Sequence, residues 1–201
     1  YEQDNDLTNG PEPIEWIVLD VQDGKSLVIS RYGLENMPYH NAQKNVTWEY
    51  SSLRSWLYKD FWTTAFTASE QSAVLTVYND NGKGQSNPDR NTSGGTNTYD
   101  RVFLLSYNEA ESYFESDEAR RCEPTAYCAA QRVIVKNGGC WWWLRSPGYY
   151  SDSAADVLTD GSLGSTYVTG SNVAVRPSLW ISHEKYAGIQ NEAGTAKRLK
   201  A

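Results

Sequence analysis

The run Cys140-Trp141-Trp142-Trp143-Leu144-Arg145-Ser146-Pro147 constrains this chain more than any other stretch. It is apolar and bounded by Gly138-Gly139 and Gly148, so it reads as a strand. Side chains along a strand alternate faces, which points Trp141 and Trp143 one way and Trp142 the other. Both faces must then be covered by protein, or one must serve recognition. Because Trp is highly buried on average, at least two of the three are expected inside. Arg145 is expected to anchor a loop or a carboxylate through its planar fork, and Arg176, beside Pro177, to do the same.

The chain has 201 residues, enough for one substantial core without disulfide or metal staples. Residues 1–13 are acidic and carry Pro11 and Pro13, so they read as a flexible lead-in. The domain is expected over 14–182, followed by a polar C-terminal tail, 183–201. Apolar, β-branched sequence on both sides of Asp23-Gly24 predicts a hairpin from Ile14 to Ser30. Ser51 or Ser52 caps a predicted helix whose Leu53, Trp56, Leu57 and Phe61 share a face. Thr67-Ala68-Ser69-Glu70 and Ser106-Tyr107-Asn108-Glu109 have capping-box spacing and predict two more helix starts. A further short helix is expected from Pro124 to Gln131.

Residues 79–100 contain Tyr99 as their single apolar side chain and predict a long surface loop, functional or mobile. Arg101–Leu105, Cys140–Arg145 and Val173–Ile181 read as strands, with Pro177 marking an edge or a bulge in the last. Helices fall in the first two thirds and strands concentrate at both ends, which argues α+β: short helices packed on a small twisted antiparallel sheet, with long loops.

The chemistry available narrows the function. Lys and Arg total 18 against 25 Asp and Glu, a net charge of −7, so nucleic acid and anionic membrane surfaces are not expected partners. No apolar run approaches the roughly 20 residues that cross a bilayer, so no membrane insertion is expected. The chain opens at Tyr1 without a basic-then-apolar leader, which a removed signal segment and a trimmed start would both produce. His40 and His183 sit in no recognisable catalytic or metal setting and are expected to be structural. Cys122, Cys128 and Cys140 have neither zinc-site spacing nor the even count of a disulfide scaffold, and allow one bridge at most. No catalytic residue and no metal ligand is assigned, and no cofactor is expected. Asp and Asn of 79–100 offer oxygen ligands for Ca²⁺ as an alternative, without EF-hand spacing.

What remains is the aromatic load, eight Trp and 14 Tyr against four Phe. Three of these Tyr, 149, 150 and 167, lie in Tyr149–Asn172, a stretch rich in Tyr, Ser, Thr, Gly and Asp with no Lys, Arg, Glu, Trp or Pro. This is a paratope alphabet, in which Tyr supplies large amphipathic contact and the small polar residues adaptable hydrogen bonds. A plain β-meander with solvated turns is the alternative, and the two are compatible, since binding loops ride on rigid scaffolds. Candidate ligand-binding residues are Tyr149, Tyr150, Ser151, Asp152, Ser153, Asp156, Leu158, Thr159, Ser162, Leu163, Ser165, Tyr167, Thr169 and Ser171.

The segments Cys122-Glu123-Pro124-Thr125-Ala126-Tyr127, Cys140 to Gly148 and Val175-Arg176-Pro177-Ser178-Leu179-Trp180-Ile181 resemble a family of uncharacterised bacterial domains common in gut anaerobes. The likeness spans about Ile14 to Ile181. It implies a C-type-lectin-like fold, similar to formylglycine-generating enzymes and to the variable proteins of diversity-generating retroelements. In those variable proteins, the region between the tryptophan motif and the terminal Arg-Pro strand is diversified and binds ligand, and Tyr149–Asn172 occupies that place here. The resemblance therefore implies a non-enzymatic, receptor-binding or adhesin-like protein that meets a protein or glycan ligand outside the cell, or on a cell or phage surface. The alternatives it leaves are a formylglycine-generating-type enzyme using the cysteines and a calcium-dependent carbohydrate module.

Overall fold

The computed structural model describes residues 1–187, and its strands begin with the expected hairpin. Strands β1 (Trp16–Gln22) and β2 (Lys25–Ser30) pair antiparallel around Asp23-Gly24, with a bulge between Val18 and Asp20. Both turn residues have positive φ, 48° and 72°, the conformation that two-residue hairpins favour and that Asp and Gly tolerate. After β3 (Glu35–Asn36) the chain enters a helical run: α1 (Ser52–Trp56), a π-helical turn (Leu57–Phe61) and α2 (Trp62–Ala65). Ser51 caps it by accepting from the Arg54 N–H, and Leu53, Leu57 and Phe61 are buried. Helix α3 (Ala68–Ala73) starts at the Thr67–Glu70 capping box, with both reciprocal bonds formed.

The expected surface loop is partly wrong. Its ends pair as β4 (Val77–Asn79) and β5 (Thr98–Asp100), and polar residues of this ribbon enter the core. Polar side chains go inside here because Asn79, Thr98 and Asp100 find partners. Asp100 accepts from Arg54 Nε at 2.7 Å, Thr98 Oγ1 at 2.6 Å, Asn79 Nδ2 at 2.9 Å and Trp48 Nε1 at 3.2 Å. Residues 102–105 are buried but form no regular strand; Phe103 makes a single bridge to Ser178.

Helix α4 (Tyr107–Tyr113) follows the Ser106–Glu109 capping box. Helix α5 (Asp117–Arg120) lies where no helix is expected, and α6 (Ala126–Ala130) begins after Thr125, one residue beyond Pro124. Strands β6 (Val135–Lys136), β7 (Gly139–Cys140), β8 (Trp142–Pro147), β9 (Ser153–Val157), β10 (Leu163–Tyr167), β11 (Ala174–Val175) and β12 (Ser178–Ser182) complete the order. They build a five-stranded sheet, β10-β9-β8-β11-β3, and a three-stranded sheet, β1-β2-β12. Pairing is antiparallel except between β11 and β8, which run parallel. Arg176-Pro177 breaks the last strand in two, so β11 belongs to one sheet and β12 to the other.

Both faces of the tryptophan strand are covered. Trp142 and Trp143 are fully buried and donate to the Arg120 and Met37 carbonyls at 3.2 and 2.9 Å, while Trp141 is half-buried. Arg145 is buried with all five donors used: Nε to Asn81, one amino group to the Leu104 carbonyl and Glu109, the other to the Asp80 carbonyl and Glu109. One guanidinium thereby ties the 80–97 loop and the start of α4 to β8.

The N-terminal segment is docked rather than loose. The Tyr1 hydroxyl donates to Glu35 at 2.6 Å, its ring lies 5.3 Å from that of Phe61, and the Tyr127 N–H donates to the Gln3 carbonyl at 2.9 Å. An aromatic ring and backbone donors give this acidic stretch something to bury, which composition alone does not register. Residues 183–187 make a helical turn, and the remainder of the expected tail lies outside the described residues.

Candidate binding face

β9 and β10 form a hairpin whose register, Tyr167 opposite Ser153 and Leu163 opposite Val157, sorts the candidate residues into two ends. At one end the 148–152 turn meets the connection after Tyr167. At the other lies the 158–162 turn, roughly 13 Å away at about 3.3 Å per residue.

At the first end, Tyr149, Tyr150 and Tyr167 are 38%, 66% and 58% exposed, and Ser151, Thr169 and Ser171 are also at the surface. The backbone beneath is fixed. Tyr149 N–H donates to Ser165 Oγ at 3.0 Å, Tyr150 N–H to Ser153 Oγ at 2.9 Å, and Val168 N–H to the Asp152 carbonyl at 3.0 Å. Ser153 is buried and Ser165 half-buried, and their hydroxyls bond each other at 3.1 Å. These two serines are therefore struts of the turn rather than ligand contacts.

The face also recruits residues that local sequence did not mark. Gln43 donates to the Asp152 carboxylate at 2.8 Å and accepts from Thr169 Oγ1 at 2.6 Å, joining the two turns. The Arg90 guanidinium stacks 4.2 Å from the Tyr149 ring centroid, and Thr92 donates to the Tyr149 carbonyl at 3.2 Å. Below, His40 N–H donates to the Val168 carbonyl while His40 Nδ1 accepts from Ser52 N–H at 3.1 Å, so this histidine fastens the face to α1. Burial first, then Lys44, holds the His40 pKa below its usual value, consistent with a neutral, accepting ring.

Leu158, Thr159, Ser162 and Leu163 do not join this face. Arg120 and Arg121 donate to the Gly161 and Thr159 carbonyls, and Ser162 turns to Asp160. Asp156 is corrected outright: its side chain is fully buried, opposite Trp143 and Gly164. Among the described residues neither carboxylate oxygen has a partner in good hydrogen-bond geometry, although the Thr166 hydroxyl lies close enough to act on it. Burial pushes its pKa up to about 6, and the nearby Thr166 hydroxyl offsets only part of that.

The alternative chemistries find these settings. Cys122, Cys128 and Cys140 are free thiols and all buried. Burial alone would raise the Cys122 thiol, but the Cys140 S–H, the Arg176 guanidinium and the Gly33 N–H outweigh it and hold Cys122 low. Cys140 is pushed up by its bond to Cys122 and by burial, and Cys128 by burial. Arg176, unlike Arg145, pairs with no carboxylate among the described residues: it donates to the Ser30 carbonyl and lies over the Trp142 and Phe114 rings. Among the described residues, three acidic groups come within reach of one cation only at Glu2, Asp4 and Glu12, outside 79–100.

Small antiparallel sheets and short helices define a mixed α+β domain that presents a tyrosine-rich end, and none of its helices is long and apolar enough to cross a membrane among the described residues. Residues 23–183 match the family model described as a domain of unknown function, DUF6273, and the chain belongs to that family. No curated protein and no solved structure matches it.

Proposed function

We propose that this domain is a non-enzymatic ligand-binding protein whose binding face is the tyrosine-rich end of the five-stranded sheet. The observation that carries the reading is the exposure of Tyr149, Tyr150 and Tyr167 together on backbone locked by Ser153, Ser165 and Gln43. Rigid aromatic anchors on a fixed scaffold lose little entropy on binding, and small polar neighbours adapt to the partner. We read the fold as C-type-lectin-like and the chain as similar to retroelement-diversified variable proteins, receptor-binding or adhesin-like, acting outside the cell on a protein or glycan. The tryptophan and Arg-Pro motifs support that likeness, since they form β8, on which the β9–β10 hairpin of the face is paired, and the β11–β12 break. The diversified positions are then Tyr149, Tyr150, Ser151, Asp152, Tyr167, Thr169 and Ser171, and 153–157 is scaffold.

The test uses a glycan array and a panel of immobilised extracellular proteins as probes. Replacing Tyr149, Tyr150 and Tyr167 together with Ala is expected to abolish any specific signal while the melting temperature stays within about 2 °C, as for surface substitutions. Retained binding, or unfolding of the triple variant, would place the function elsewhere.

A further inference from the structure

A second concave site lies between the docked N-terminal segment and the first helical run, and it is independent of the tyrosine-rich face. Its volume is about 430 Å³, in the range of small-molecule sites. Aromatic rings make the wall. Tyr1, Trp56 and Tyr127 are partly exposed to it, and the fully buried Phe61 backs them, its ring centroid 5.3 Å from Tyr1 and 5.4 Å from Trp56. Glu2, Glu35 and Asp60 line its polar edge together with Thr64, no Lys, Arg or His side chain does so among the described residues, and the Tyr1 ammonium is engaged by the Glu12 carbonyl at 2.9 Å. Asp60 forms no ion pair among the described residues. It sits in the π-helical turn Leu57–Phe61, a distortion that recurs at functional sites, and this turn sets Asp60 and Trp56 on the same cleft. The phenols respond to the local field: Tyr1 and Tyr127 are both held above their ordinary value, by burial first and then by Glu35.

We propose that this cleft binds a small quaternary or methylated ammonium ion, of the choline type. Aromatic faces carry negative potential and attract a cation that is weakly hydrated because methyl groups cover it, and the carboxylates compensate its charge. An anion would be repelled by three acids. A neutral apolar ligand would fit the wall but leave the acidic edge desolvated without a counter-charge. A metal ion or bare ammonium, strongly hydrated, would gain little from the rings.

The experiment is calorimetric titration of the full 201-residue chain with choline and, separately, with 3,3-dimethylbutan-1-ol, its neutral carbon isostere. Choline is expected to bind saturably and the isostere about tenfold more weakly or not at all. Asp60→Asn touches an exposed residue and should keep the fold, whereas Trp56→Ala removes a wall. Each is expected to weaken choline by about threefold to tenfold. If Trp56→Ala does not fold, Asp60→Asn decides alone. Equal affinity for the isostere, no saturation by choline, or full affinity in a folded Asp60→Asn would each overturn the proposal.

Discussion

Asp156→Asn should make this protein more stable at neutral pH, although it alters a residue in the middle of the core sheet. The carboxyl of Asp156 is fully buried, neither oxygen has a partner in good hydrogen-bond geometry among the described residues, and Gly164 opposite it leaves no room for a side chain: a Cβ there would lie 2.7 Å from Asp156 Oδ1. Its pKa rises from 3.8 to about 6 on folding. The folded state thus holds the proton more tightly than the unfolded chain. Stability from this group is complete below pH 4, falls as pH rises through about 6, and is then lower by about 3 kcal/mol, at 1.36 kcal/mol per unit. Asn stays neutral throughout, so at pH 7.5 the variant should gain about 1–3 kcal/mol, the lower figure allowing for an unpaired amide. Near pH 4 the two proteins should match, or the variant be slightly weaker. Urea melts of both between pH 4 and 8 measure it, and the difference curve cancels every other titrating group. A flat difference, or one in which Asp gains on Asn as pH rises, would mean that Asp156 has a cationic or donor partner in solution and would refute the orphaned-carboxyl account.

Two further outcomes follow from the buried charges and thiols. Glu109→Gln breaks the bidentate contact with the buried Arg145 and should cost about 3–5 kcal/mol in chemical denaturation, because a guanidinium is left inside without its carboxylate. A loss below about 1 kcal/mol would mean that the carbonyls of Asp80 and Leu104 suffice. Ellman's reagent at pH 8 should find no reactive thiol in the native protein and three after unfolding without reductant, since all three cysteines are buried and free. Fast labelling of the folded protein, or only one thiol after unfolding, would contradict the structure.

Features written within a few residues were readable from sequence. The Asp-Gly hairpin, both capping boxes and the Ser51 cap depend on adjacent side chains and appear where expected. Burial of the tryptophan strand was also legible, as was the anchoring role of Arg145. Several failures share one cause: the polarity of a segment does not decide its burial, whereas its partners do. Asn79, Thr98 and Asp100 are polar yet inside, because Trp48 and Arg54, far away in sequence, complete their hydrogen bonds. The candidate face is a similar case. Its composition marked 149–172, but alternation along β9 and pairing with β10 decided which residues point outward. Gln43 and Arg90 reach the face only through tertiary folding, with no local signal to announce them.

The break at Arg176-Pro177 has a consequence for synthesis. β11 inserts between β8 and β3 in one sheet, and β12 adds to β2 in the other, where Trp180 meets Leu27. Neither sheet can close until a strand made at the very end of the domain has been delivered. On a ribosome, the first hairpin must wait with an open edge while residues 31–177 are added, and the tryptophan strand while 148–173 are, a situation that slows folding and invites aggregation. A chain stopped before Ser178 would retain nearly all of its core residues and still leave the three-stranded sheet unfinished, so the final strand acts as a clasp rather than an appendage.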